Sequence, residues 1–513
     1  MERVNPIQHQ VCRWSFCRPL TMVGLVVVVL VVALPARAQI QTVRNRMTQE
    51  VFTGPTAIQD AIDDPDTQDN HVLLVGPGDY SNIHVTKAVR IYTDLKPRNP
   101  RPRIAPAAGH PVTVNAPGLV LISGFNIAVP PGETGVVART PVIVENCVIN
   151  GGFIGIFTMD RASINNNVVH GYTRFGIFAD GPQEDLGEIT VPAGTPLEIE
   201  RIVDSVKRHV DEINATSVRM QNSLPPGPPS EGFPIFPEVV INNNLVDGSS
   251  APGGVGIVGQ FLRFCQVTEN TVVNHRHAGA ANGVGVVFLG VFDIGRNSVL
   301  GENRLENNTL GFAAVFSLVH ARENVVQITD PSIKAAANAA GVDTVGEVFV
   351  LFASADIYIA DTIRNLDEGI LVSGFADLHV NNSLIENITS PSPVLGNALD
   401  FFGLGFGGVM NSVIQNNTVG INVRLGSTVG IHDNCIQGNT LFGVTTDGTG
   451  GTIGAVGNFW GAPDGPSGAG PGSGDAVSSF VDFSNFLTVC DGRNANSGNG
   501  DRGNGHTGPP PRR

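Results

Sequence analysis

One short pattern recurs along this chain around an asparagine, and it limits the fold more than any other feature. The segments IVENCVINGGFIGIF (143–157), INNNVVHGYTRFGIF (164–178), INNNLVDGSSAPGGVGIV (241–258), VTENTVVNHRHAGAANGVGVV (267–287) and IHDNCIQGNTLFGVTT (431–446) share one plan. Each runs apolar–x–x–Asn–x–apolar, then a loop of variable length, then Gly–apolar–x–apolar. The aligned markers are Asn126, Asn146, Asn167, Asn244, Asn270, Asn297, Asn324, Asp361, Asn382, Asn411, Asn434 and Asn458. Their steps are 20, 21, 77, 26, 27, 27, 37, 21, 29, 23 and 24 residues, the longer ones being insertions into the same pattern. Short units of this kind, with three brief apolar strands and no helix, predict an all-β chain wound as a right-handed parallel β-helix of about a dozen coils. A leucine-rich repeat would place leucines in fixed slots that here hold Val and Ile.

Stacked coils lie about 4.8 Å apart. Each marker amide then bonds the one above and below it, and Asn recurs there because it tolerates a left-handed backbone. Alternation directs the residue two after the marker (Val148, Val169, Val246, Val272, Val299, Val326) into the interior.

Lys and Arg number 31 against 46 Asp and Glu, a formal charge of −15. With no basic block, such a chain cannot neutralise phosphates, so nucleic acid is excluded as a partner. Arg13 and Arg18 precede the apolar run Met22–Leu34, which Ala36-Arg37-Ala38 follows. That is the plan of a cleavable signal peptide, residues 1–38, and implies a secreted protein, periplasmic or extracellular, with no membrane span after cleavage. The run is too short to cross a bilayer. The layout expected is an N-terminal segment and helical cap (39–70), a β-helix (71–490) with insertions at 181–237 and 328–350, and a Gly/Asn/Pro-rich tail (491–513). In the first insertion, Thr195-Pro-Leu-Glu198 reads as a helix-capping box, followed at helical spacing by Ile199, Ile202, Val203, Val206, Val210 and Ile213. Cys147, Cys265, Cys435 and Cys490 fit no zinc spacing. If a bridge exists, Cys435–Cys490 is the best candidate.

The opening TAIQDAI…LLVGPGDY and the closing NFWGAPDGPSG carry a resemblance. They look like the first and last coils of secreted bacterial proteins of the pectin-lyase-like superfamily of right-handed parallel β-helices, and the middle resembles the NosD-like repeat type. The resemblance implies the fold and a carbohydrate setting. The superfamily's catalytic patterns (N-T-D, G-H-G, R-I-K, D-P-H-D, W-x-D-H) are missing, so the reaction is not implied.

In such a fold the outer face of the Gly-led strands forms the usual groove. Alternation places Val137, Arg139, Phe157, Phe178, Leu371, Asn422, Arg424 and Thr445 on that face, with no carboxylate cluster among them. The loops supply His170 and Arg174, and His275 with Arg276, in what reads as one loop slot two coils apart. His275 or His170 would take a proton and Arg276 or Arg174 would neutralise a uronate carboxylate. Arg139, Phe157, Phe178, Asp180 and His277 complete the expected sugar-binding set, unless the insertion covers the two phenylalanines. His275 and His277 alone do not make a metal site, and no cofactor is expected. The expected function is binding of a polysaccharide or cell-surface glycan; the alternative is a pectate-lyase-like enzyme acting on an acidic glycan.

Overall fold

The computed structural model describes residues 41–93, 100–182, 189–223, 238–291, 298–350, 353–359 and 361–490. The expected signal peptide and tail lie outside the described residues. Three long sheets carry the chain: sheet I with fifteen strands, sheet II with thirteen and sheet III with fifteen. Val142–Glu145 pairs in parallel with Ala162–Asn165 in sheet I, Val148–Gly151 with Val168–His170 in sheet II, and Ile154–Thr158 with Phe175–Asp180 in sheet III. A chain that returns to each of three sheets once per coil is a parallel β-helix, wound in the right-handed sense that parallel connections adopt. The antiparallel strands Thr42–Asn45 and Val51–Thr53, with helix α1 (Ala57–Asp63), lie at the N-terminal end of the stack. Ile58 and Ile62 of α1 are buried, which covers an otherwise raw edge.

The asparagine ladder exists, in a register that corrects several markers. Its rungs are Cys147, Asn167, Asn244, Asn270, Asn303, Asn324 and Asp361, then Ser383, Ser412, Asn434 and Asn458. At each step from Cys147 to Asp361, and again from Ser383 to Asn458, a backbone N–H donates to the side-chain oxygen of the next rung. Asn146, Asn382 and Asn411 stand one position earlier and carry the positive φ, at 56°, 53° and 49°. Glu269, Glu302 and Glu323 carry it in coils where the rung itself is Asn. The left-handed residue and the ladder residue are therefore adjacent positions, and Asn fills either. Asn297 lies outside the described residues, and Asn303 holds the rung of that coil. With this register the inward rule is uniform: two residues after the rung come Ile149, Val169, Val246, Val272, Leu305 and Val326, all buried, and after Asn458 the buried Trp460. Val148 and Val299 are half-buried instead.

The Gly of the Gly-led strands marks a close approach. A Cβ on Gly155 would stand 2.4 Å from Val169 Cγ1 and 2.6 Å from the carbonyl oxygen of Gly176. Ala398 takes this position in its coil.

Helix α2 (Leu197–Ser223) lies in the first insertion and helix α3 (Pro331–Ala339) in the second. Asp330 caps α3, accepting from Ser332 N at 3.0 Å. Thr195 does not cap α2; its hydroxyl donates to Pro192 O at 2.5 Å. The apolar stripe of α2 (Ile199, Ile202, Val203, Val206, Val210, Ile213, Met220) is buried in one cluster with Val137, Phe157, Phe178, Val258 and Val287 from sheet III. An amphipathic helix must bury its stripe, and here it does so on the outer face of the sheet.

Cys435 and Cys490 are bridged, with Cα atoms 5.6 Å apart. Cys147 and Cys265 are buried thiols, and burial pushes the Cys147 thiol up to about 11. Of the four cysteines in residues 41–490, two should react with a thiol reagent, and only after denaturation. Four reactive thiols in the oxidised protein would remove the bridge.

Candidate functional site

The residues expected to form one loop cluster are dispersed, and most of them seat helix α2. Phe157 and Phe178 are fully buried under it, their ring centroids 5.2 Å apart, so they are not available to stack on a sugar. Arg174 forms a two-pronged pair with Glu212 of α2. Arg139 donates to Gln221 O at 2.5 Å, near the end of the same helix. Asp180 is buried; Oδ2 accepts from Ser217 Oγ at 2.5 Å and from Gln221 Nε2 at 3.2 Å. Desolvation lifts its pKa to about 7, with those two donors pulling the other way.

His275 is not a loop residue facing solvent. It stands five residues after its rung, where the chain turns from sheet II to sheet III, and that position points inward, as it does for Tyr172 and Asn308. Its Nε2 is 2.6 Å from Tyr172 Oη and its Nδ1 2.9 Å from Asn308 Oδ1. Burial pushes its pKa down to about 4, so it is a neutral core residue rather than a base open to substrate. His170 belongs to a different column: it pairs in register with Asn150 and Asp247 on sheet II. Arg276 is exposed, with its charge felt by Asp330, and His277 is half-buried. The expected His/Arg constellation is thus split between core, helix seat and two separate surfaces.

Sheet III is open beyond the first turn of α2, and polar residues collect there. Alternation correctly set Leu371, Asn422 and Thr445 in one outward column; the missing member between Leu371 and Asn422 is Asp400. Arg424 stands in the next outward column beside Phe402. Its guanidinium is 5.3 Å from the Phe402 ring centroid and pairs with the buried Asp400 carboxylate, Nε to Oδ1 at 3.2 Å. Glu368, also buried, accepts from the backbone N–H groups of Gly396 and Asn397 at 3.1 Å each and from Asn397 Nδ2. Burial and the neighbouring Asp400 push the Glu368 carboxyl well above its ordinary range. Burial likewise raises Asp400, against the pull of Arg424.

Over this buried pair lies a depression of about 300 Å³, lined by Gly194, Pro196, Phe402, Asn422, Arg424, Leu425, Thr445, Thr446 and Asp447. It offers a fixed planar guanidinium, an amide, two hydroxyls and a carboxylate, the mixture that orients a hydroxylated ligand. Asp447 is its exposed acid. Desolvation acts to raise its pKa but is outweighed by hydrogen bonds from Leu425 N (2.8 Å) and Thr449 N and Oγ1 (2.9 and 2.6 Å), so the net shift is downward. A carboxylate so stabilised is a weak proton acceptor.

Glu368 and Asp400 escaped the sequence pattern for a structural reason. Asp400 follows Ala398, which breaks the Gly-led motif, and Glu368 precedes the Gly from which outward positions are counted. The spacing of Leu371 and Asn422 around the strand ALDFF was the available signal.

No family model matches the chain. A cell surface glycoprotein of Methanothermus fervidus is 28% identical over 160 residues, 30% of this chain. The chain spans only 22% of the length of that relative. Among solved structures, the periplasmic alginate epimerase AlgG matches over 82% of this chain and 85% of its own, at 11% identity and a TM-score of 0.30. The catalytic unit of a thermostable GH87 α-1,3-glucanase from Streptomyces thermodiastaticus matches over 85% and 67%, at 12% identity and a TM-score of 0.32.

Proposed function

We propose that this chain is a secreted or surface-held β-helix module that binds a polysaccharide or cell-surface glycan at the depression around Arg424. The observation that carries the reading is the pairing of a covered groove with one open polar end. Helix α2 occupies the face of sheet III where a long polymer would lie, and beyond its first turn Arg424, Asn422 and Thr445 face outward. Buried Asp400 holds Arg424 in place, and buried Glu368 acts on it by charge alone; neither carboxyl reaches a ligand. The exposed acid at the site is held ionised by its own hydrogen bonds, which suits binding better than proton abstraction. The N-terminal address and the likeness to a cell surface glycoprotein support a place outside the cytoplasm.

Calorimetry with a panel of oligosaccharides tests the reading. Asn422→Ala and Thr445→Ala, both surface truncations, should each weaken binding about tenfold, roughly the 1.4 kcal/mol of one well-made polar contact. The melting temperature should not move. Release of unsaturated, ultraviolet-absorbing ends from a uronate polymer would establish the lyase reading in its place.

A further inference from the structure

We infer that sheet II carries a second, separate binding surface, a hydrogen-bonded side-chain ribbon that runs along the coils into a depression at the C-terminal end and takes a neutral sugar chain. It shares only the ligand class with the reading above.

The ribbon is built from one outward-pointing column, whose first two members, Glu306 and Gln327, are buried and whose later members from Arg364 onward reach the surface. Glu306, Gln327, Arg364, Glu386, Gln415 and Gln437 follow one another in register on six successive coils. Gln327 Nε2 donates to Glu306, Arg364 Nε to Gln327 Oε1 at 2.6 Å, Gln415 Nε2 to Glu386 Oε2 at 2.9 Å, and Gln437 Nε2 to Gln415 Oε1 at 3.1 Å. Arg364 also lies 3.7 Å from Glu386, which closes the remaining link. Gln327, Arg364, Gln415 and Gln437 each donate to the neighbour before them, so the side chains are held along the column in fixed directions. The last acceptor, Gln437 Oε1, meets no protein donor among the described residues.

Gln437 opens onto a depression of about 530 Å³, in the size range of small-ligand sites. Thr440 and Leu441 form one rim, Ser467, Ser473 and Ala476 of the closing segment the other, and Trp460 an inner wall. The indole N–H of Trp460 is buried without an acceptor among the described residues. Leu441, 55% exposed, is an apolar face beside these polar groups. The floor is stiff: Asp475 accepts from Gly438 N, Asn439 N and Asn439 Nδ2, at 2.9, 2.9 and 2.7 Å. Hydroxyls, amides and one apolar rim in a rigid wall are what a sugar ring matches with its own hydroxyls and C–H face.

Charge selects the kind of sugar. Arg364 is answered by Glu386, and Arg304, beside the ribbon's start, by Glu306 at 2.8 Å. Asp475 is the charged side chain of the depression itself. A uronate would meet a carboxylate there and no unpaired cation on the ribbon, in a chain already at −15. A neutral chain meets no such opposition.

The test uses the whole protein with neutral oligosaccharides (gluco-, manno- and xylo-series) and, in parallel, with oligogalacturonate and oligoalginate. Wild-type protein should bind a neutral series at least tenfold more tightly than the uronates. Gln437→Ala and Leu441→Ala should each weaken that binding at least fivefold with an unchanged melting temperature, and Asn422→Ala should leave it in place. Loss through Asn422→Ala alone would overturn the ribbon while sustaining the site at Arg424. Preference for uronates, or no binding to any neutral series, would also overturn it.

Discussion

Replacing Asn270 by Val should destabilise the protein by roughly 3–5 kcal/mol, because one side chain satisfies groups on three coils. Its Oδ1 accepts from Asn244 N at 2.9 Å and Asn244 Nδ2 at 3.0 Å. Its Nδ2 donates to Ile241 O and Thr268 O, both at 2.9 Å, and to Asn303 Oδ1 at 3.1 Å. Valine fills the space and leaves a buried N–H and carbonyls without partners, each costing about 1–3 kcal/mol. Backbone strain contributes nothing, since the positive φ belongs to Glu269. Asn270→Asp separates the two halves of the effect: it keeps the acceptor and loses the donor. Thermal or denaturant melts decide the matter, and an unchanged midpoint for Asn270→Val would reject the ladder as a source of stability.

The second large effect is on pH, and its sign is unusual: stability should fall as pH rises from about 4 to about 7. An aspartate with an ordinary pKa of 3.8 has lost its proton by pH 5 in the unfolded chain, whereas burial holds Asp180 protonated in the folded protein up to about 7. The folded state therefore binds more protons throughout that window. Its stability is full below the unfolded pKa and is lost as pH passes through the folded one. A rise of roughly 3 units is worth on the order of 4 kcal/mol. Glu347, on the inner face of sheet III between Phe312 and Ile370, is pushed up by burial and by Asp361; Asp361 is itself raised by burial. These act in the same direction; His275 and His209, which burial pushes down to about 4, act against them between about 4 and 6.5 and reduce the difference without the number of groups to reverse it. The melting temperature at pH 5 should exceed that at pH 8 by several degrees. Asp180→Asn should flatten the difference. Asp361→Asn, which restores an amide to the rung below Asn324, should raise the melting temperature at pH 8 more than at pH 5. A profile that is level or rises with pH would show that these carboxyls are ionised in the folded protein.

The repeat was legible because stacked coils impose it residue by residue. Gly must occupy the close approach at Gly155, an apolar residue must follow the rung by two, and Asn suits both the rung and the left-handed position before it. That last double use is why the markers slipped by one at Asn146, Asn382 and Asn411: the two neighbouring slots favour the same side chain for different reasons. Outward positions on sheet III followed from alternation alone, down to Arg424, Asn422 and Thr445. The helix of the first insertion followed from its stripe.

Contacts between distant segments were not legible. Arg174 and Glu212, or Asp180 and Ser217, are joined by the return of α2 across sheet III, which no local spacing encodes. His275 lies in a segment rich in polar residues, yet a corner of the coil turns it inward, against Tyr172 more than a hundred residues earlier. Local pattern therefore determined the architecture, the columns and the existence of the helix, because those depend on periodicity. Which columns stay open to solvent was decided only by the tertiary packing of the insertion, because burial is set by what the chain lays over a face and not by the face itself.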